Sequence, residues 1–100
     1  MEFIETSSFI KTKEGILNED ELLELQKALL IKPDQGDLIP KGKGLRKVRW
    51  SGSGRGKRGG IRVIYYWIKD EELIFLLVAY AKNRQENLTP QQLKLLADSI

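Results

Sequence analysis

Two nearly continuous apolar runs, Ile61 to Ile68 and Leu73 to Ala81, dominate the second half of this chain and are joined across Lys69-Asp70-Glu71-Glu72. They are rich in Val, Ile, Tyr and Phe and too apolar for strands with one solvated face, so they predict central strands of an antiparallel sheet covered by helices. Leu45 to Trp50 interleaves β-branched and aromatic residues with cations, the pattern of a strand with one wet face. Phe3 and Ile4, between polar residues, predict a short first strand. Helical spacing appears at Leu22, Leu25, Leu29 and Leu30, after an Asn18/Glu21 capping box whose acidic first turn suits the positive helix end. Pro33 and the turn Asp34-Gln35-Gly36-Asp37 stop that helix near Ile31. A shorter helix around Phe9 and Ile10 has N-cap candidates in Thr6, Ser7 and Ser8 and ends near Gly15. Thr89-Pro90-Gln91-Gln92 supplies an N-cap, a first-turn proline and a capping-box glutamine for a last helix through Leu93, Leu96 and Ala97.

The order β-α-α-β-β-β-α implies an α+β fold, a small mainly antiparallel sheet with helices packed on one face and the other face left for function. One hundred residues fit a single domain, 1–100. With 41% hydrophobic and 31% charged residues the chain is expected to fold on its own. It has no cysteine, its first residues lack a basic leader, and no run approaches the roughly 18 apolar residues of a membrane span. A cytoplasmic protein with no membrane partner is the expectation.

The distribution of charge says more than its total of +3. Nine of the seventeen basic residues lie between Lys41 and Arg62 with no acidic residue among them, whereas the rest of the chain carries eight basic and fourteen acidic groups. One strongly basic face on an otherwise acidic protein is the electrostatic footprint of a nucleic-acid binder.

Gly54-Arg-Gly56-Lys-Arg-Gly59 matches G-x-G-x-x-G in letters only, because a dinucleotide fingerprint must open a helix and here a strand follows. The nucleotide P-loop fails as well: Ser51 stands where its first glycine belongs, and Arg58 replaces the hydroxyl that would hold magnesium. What remains is a flexible basic loop, with five glycines from Gly52 to Gly60, whose backbone can approach phosphates closely and should order when they arrive. No cofactor and no metal are expected, since His and Cys are absent and Asp70-Glu71-Glu72 reads as a solvated turn. Without histidine, any RNA cleavage must use Lys, Arg, Tyr or a carboxylate to assist attack by the 2′-hydroxyl.

Gly44-Leu-Arg-Lys-Val-Arg-Trp50, the run from Gly54 through Lys57-Arg-Gly-Gly-Ile-Arg-Val-Ile-Tyr-Tyr66, and Tyr80-Ala-Lys-Asn83 together resemble the RelE superfamily, particularly its HigB-like branch. The stretch Lys57 to Tyr66 is the specific part; the helices match in kind and placement. The resemblance implies a bacterial type II toxin, an endoribonuclease that enters the ribosomal A site and cuts messenger RNA. It also implies a cognate antitoxin, of HigA-like helix-turn-helix type, that holds the toxin inactive. By motif position the catalytic role falls to Arg62 and Lys82, with Lys47 and Arg49, alternate residues on one strand face, as further members. RNA contacts fall to Lys57, Arg58, Arg55, Arg46 and Arg84. The chain has no Tyr or His after Lys82, where several relatives keep a general base or stacking residue, and Arg84 is the obvious substitute.

The chemistry supports those assignments, because in-line attack by a 2′-oxygen builds negative charge on a five-coordinate phosphate that fixed cations stabilise more than the ground state. Arg62 can bind phosphate oxygens bidentately, and crowding by cations with partial desolvation would suit Lys82 to proton transfer. Tyr65 and Tyr66, in a central apolar strand, read as core before they read as base-stacking residues. If Arg62 and Lys82 share a site, their strands must pair with an even register sum, such as Ile68 opposite Ile74. An odd sum, such as Ile68 opposite Leu73, separates them unless a bulge intervenes. The alternative function is a nucleic-acid-binding module without catalysis, which the same basic segment would serve.

Overall fold

In the computed structural model, which describes residues 1–50, 60–82 and 87–100, each of the three described helices starts at a capping residue its sequence offers. Strand β1 (Glu2–Glu5) leads to Thr6, whose hydroxyl accepts from the Phe9 N–H and opens α1 (Ser7–Lys13). Gly15, at φ 76°, turns the chain after α1. Asn18 and Glu21 form both halves of a capping box for α2 (Glu19–Ile31), as Thr89 and Gln92 do for α3 (Pro90–Asp98). Between α2 and α3 run β2 (Asp37–Leu38), β3 (Arg46–Trp50), β4 (Ile61–Ile68), a 3-10 turn (Lys69–Glu71) and β5 (Leu73–Ala81). The basic loop 51–59 and residues 83–86 lie outside the described residues, and with them the expectations placed on Arg55, Lys57, Arg58, Arg84 and loop ordering.

The strands form one five-stranded sheet in the order β1-β5-β4-β3-β2, antiparallel throughout except for the parallel pair β1–β5. The α+β class and mainly antiparallel sheet are those the sequence predicts. The two-residue β2 is additional, in and just after a segment that reads as a turn, because two residues carry no periodicity to detect. Alternation along β4 divides the core. Ile61, Val63 and Tyr65 face α1 and α2, where Phe9, Leu22, Leu25 and Leu29 are buried with Val48, Ile74, Leu76 and Ala79. Burying each such leucine contributes about 1.5 to 3 kcal/mol. Leu30, expected in the same stripe, is 54% exposed, since it lies about a quarter-turn beyond Leu29 and past the sheet-facing side.

The helices are not confined to one face. Ile64 and Tyr66, the alternate residues of β4, face the other way, into a second cluster with Leu45 and Leu77 onto which Leu93, Leu96 and Ala97 of α3 pack. The reason is the sheet itself: strands this apolar on both faces need cover on both, and α3 supplies part of it. The second face is therefore partly roofed.

Strand β5 carries one irregularity that matters for function. It begins with Ile68 opposite Leu73 and continues in that register to Tyr65 opposite Leu76, but Ile64 then pairs with Val78. Leu77 is the extra residue of a β-bulge, and just past it β5 outruns its neighbour β1, which ends opposite Leu76. Here the Ala79 N–H donates to the Thr12 hydroxyl of α1 at 3.0 Å, while that hydroxyl donates to the Ser8 carbonyl at 2.9 Å. Thr12→Val keeps the side-chain shape and leaves the Ala79 N–H without this acceptor. It should lower stability by about 1 kcal/mol in chemical denaturation, with faster hydrogen exchange at Ala79; unchanged exchange would show that α1 does not hold the bulge.

Candidate functional site

The face that α1 and α2 leave uncovered is built from cross-strand rows. Arg49 of β3, Arg62 of β4 and Tyr80 of β5 are direct partners and form one row; Asp37, Lys47, Ile64 and Val78 form the next. Direct partners of an antiparallel pair hold their Cβ atoms about 4.5 to 5.5 Å apart, so the row places two cations and a phenol side by side. Two arginines directly opposite repel one another, and folding alone does not favour the pair.

The register answers the parity requirement by its second route. Near the turn the sum is odd, Ile68 with Leu73; after the bulge it is even, Arg62 with Tyr80. Lys82 continues the ladder one step beyond Ala81, its N–H donating to the Gly60 carbonyl at 3.2 Å. Alternation from Tyr80 carries Lys82 onto the Arg62 face, on the diagonal of the row, where Cβ atoms lie roughly 7 to 8 Å apart. The bulge is what brings Arg62 and Lys82 to one face.

Exposure separates the cations. Arg49 is exposed, Lys47 and Lys82 are half-buried, and Arg62 is only 4% exposed. Arg62 therefore lies in the floor of the face, on the central strand of the sheet. Arg46 stands apart from the other cations. As the partner of Tyr65 it lies on the opposite face from Lys47 and Arg49, and its guanidinium donates to the Gly36 carbonyl at 2.8 Å and the Asp34 carbonyl at 3.3 Å. It pins the loop after α2, and the structure does not bring it together with Lys47 and Arg49.

Over Lys47, Arg49, Ile64 and Tyr80 opens a cleft of about 440 Å³, closed on one side by Asp37 to Pro40 and on the other by Asn87, Leu88 and Leu93. The Lys47 ammonium donates to the Asn87 side-chain oxygen at 2.7 Å, tethering β3 to the segment that enters α3. One part of the cleft is thus cationic, with Lys47 and Arg49, and another apolar, with Ile39, Leu88 and Leu93. Arg62 and Lys82 adjoin this cleft through the row rather than line it. The turn after Pro40 adds Lys41 and Lys43, both exposed and both at positive φ, 59° and 54°.

Tyr80 and Asn87 are the site residues that sequence reasoning does not assign. Tyr80 stands inside an apolar run, indistinguishable there from core; only the cross-strand register pairs it with Arg62. Tyr65 and Tyr66 are packing residues, as read. Tyr65 is wholly enclosed, its hydroxyl donating to the Pro33 carbonyl at 2.7 Å and accepting from the Gly36 N–H at 2.9 Å. Burial pushes that phenol above its ordinary value near 10, against the lowering effects of the Gly36 N–H and the Arg46 guanidinium. Tyr66 packs into the second cluster, close enough to Gly44 that a Cβ there would meet its ring at 2.8 Å.

Comparisons with known proteins identify the family and the fold. The model of the RelE family, described as the RelE toxin of the RelE/RelB toxin–antitoxin system, matches residues 5–99. A free-state structure of the Escherichia coli toxin RelE carrying two arginine-to-alanine substitutions is similar over 84% of this chain and 85% of its own, at 17% identity and a TM-score of 0.57. The toxin–antitoxin complex RelBE of E. coli gives 16% identity over 79% of this chain and 93% of the matched one, with a TM-score of 0.55. At those identities the two structures speak for the fold.

Proposed function

Since the chain belongs to the RelE toxin family, we propose that it is the toxin of a type II pair and an endoribonuclease that cuts translated messenger RNA in the ribosomal A site. The observation that carries this reading is the row of Arg49 and Arg62, with Lys47 and Lys82 beside it, on the sheet face that α1 and α2 leave uncovered. Four cations around one small area suit a phosphate that gains charge during reaction.

In the reaction the 2′-oxygen attacks the adjacent phosphorus in line, its proton leaves to a base, and the P–O5′ bond breaks as the 5′-oxygen takes up a proton. The products are a 2′,3′-cyclic phosphate and a 5′-hydroxyl. Arg62, enclosed where the local dielectric is low, stabilises the phosphorane oxygens more than an exposed cation would. Arg49 and Lys47 hold the flanking phosphates at the rim, and Lys82 serves the proton transfers. Side-chain cations, rather than a metal ion, carry the charge. Lys57, Arg58, Arg55 and Arg84 bind the RNA backbone. The motif Lys57 to Tyr66 supports the HigB-like branch, and with it a HigA-like antitoxin that carries a helix-turn-helix.

Expression in a host lacking the antitoxin, followed by primer extension on translated messages, tests the proposal. Growth arrest with new 5′ ends that require translation is the expected result. RNA binding with no cleavage on ribosomes would instead favour a non-catalytic nucleic-acid-binding module, for which the same cations suffice.

A further inference from the structure

Building on the reading of an RNA-cleaving site, we infer that the cleft between Tyr80 and the entry to α3 is a single-nucleotide pocket that takes one base on the Tyr80 ring and its phosphate on Lys47 and Arg49. The lining of the cleft has two parts. Leu88, Leu93 and Ile64 give a dry wall, Tyr80 gives an aromatic surface among them, and Lys47 and Arg49 stand at one side, two cations against the one carboxylate of Asp37 that pairs with Lys47 across the strands. A volume of about 440 Å³ lies in the range of small-ligand sites, roughly 300 to 1,000 Å³. The occupant must combine a flat apolar part with an anionic part, and a nucleotide does so.

The rows fix the relation between those parts. Arg49 is two strands from Tyr80 along one row, and Lys47 is one row away. Strands are spaced about 4.8 Å apart, so the cations stand roughly 10 Å from the ring across Arg62, a distance that the ribose and phosphate of one nucleotide can cover with long side chains reaching inward. The Lys47–Asn87 hydrogen bond links the far wall to β3 across the mouth of the cleft. Tyr80 acts here through its ring. It is a positioning residue that decides which phosphate lies over Arg62, and base stacking on an aromatic contributes without regard to sequence.

Titration of the purified chain with the four nucleoside 5′-monophosphates and with ribose 5-phosphate, followed by amide and methyl NMR, tests this. Each nucleotide is expected to bind at least about fivefold more tightly than the base-less sugar phosphate, the lower bound of stacking effects, with shifts at Ile64, Leu88 and Leu93. Tyr80→Phe should keep that difference and Tyr80→Leu should erase it while phosphate-dependent shifts at Lys47 and Arg49 persist. Equal binding of nucleotide and ribose 5-phosphate by the unaltered chain would overturn the inference and mark the groove as one for a peptide that sets an acid beside an apolar side chain. Loss of the difference in Tyr80→Phe would overturn the ring's role, since only the hydroxyl is gone. Base-dependent binding without cleavage on ribosomes would retire the endonuclease reading and leave the pocket standing; cleavage without base-dependent binding would do the reverse.

Discussion

Lys82→Ala is expected to reduce ribosome-dependent cleavage about 10²- to 10³-fold, or about 3 to 4 kcal/mol of transition-state stabilisation, with an unchanged melting temperature. Lys82 is half-buried at the end of β5 and contributes no apolar packing to either core cluster, so folding should not register its loss. Arg62→Ala should cost activity at least as much. It should also lower stability, because a side chain only 4% exposed leaves a cavity behind. Arg62→Lys separates the two effects by keeping the charge and removing the fork that binds two phosphate oxygens at once. Primer extension on translated messages supplies the rates and circular dichroism the folding control. A folded Arg62→Lys, Lys82→Ala double variant that cuts at the wild-type rate would remove Lys82 from the catalytic assignment and show that the Arg62 fork is not needed, and a folded Arg62→Ala that cuts at that rate would remove Arg62.

Tyr65→Phe, the deletion of a single oxygen, should cost about 2 kcal/mol or more. Its hydroxyl serves two backbone groups at once, the Pro33 carbonyl and the Gly36 N–H, and both lose a buried partner in the variant. Water cannot easily replace it, because Gly36 sits so close that even a Cβ there would lie 2.8 Å from the Tyr65 ring. The effect has a pH signature. The folded phenol holds its proton more tightly than the unfolded one, chiefly through burial, so its contribution is complete below about pH 10 and is lost as pH rises through the higher folded value. Denaturation curves of wild type and Tyr65→Phe should therefore converge above pH 10. A constant difference between them from pH 7 to 11 would show that the buried phenol does not titrate with unfolding.

Much of the fold is legible in the sequence because its signals are local. Capping boxes at Asn18 and Thr89 are complete within four residues, and the runs ending at Ile68 and beginning at Leu73 bracket their turn without help from distant chain. What is not legible depends on pairing. The amphipathic stripe of α3 announces a packed helix yet contains nothing to say which face of the sheet receives it. An arginine at the start of an apolar strand reads the same whether its head is open or enclosed, so the burial of Arg62 waits for the sheet. Arg46 and Lys47 are adjacent cations in the sequence, and only alternation against β4 sends one to the loop after α2 and the other to the cleft. Tyr80 is hidden for the same reason, since its significance lies in standing opposite Arg62 across the strand.

The bulge at Leu77 has a consequence for reading related chains. Because Leu77 and Val78 turn the same way, a chain lacking one of them would keep its counterparts of Tyr80 and Lys82 on the working face while standing one residue closer to the hairpin. Equivalent positions in such homologues are therefore counted back from the strand's end, and a gapless alignment anchored at Leu73 would assign the wrong residue to every site position beyond the bulge.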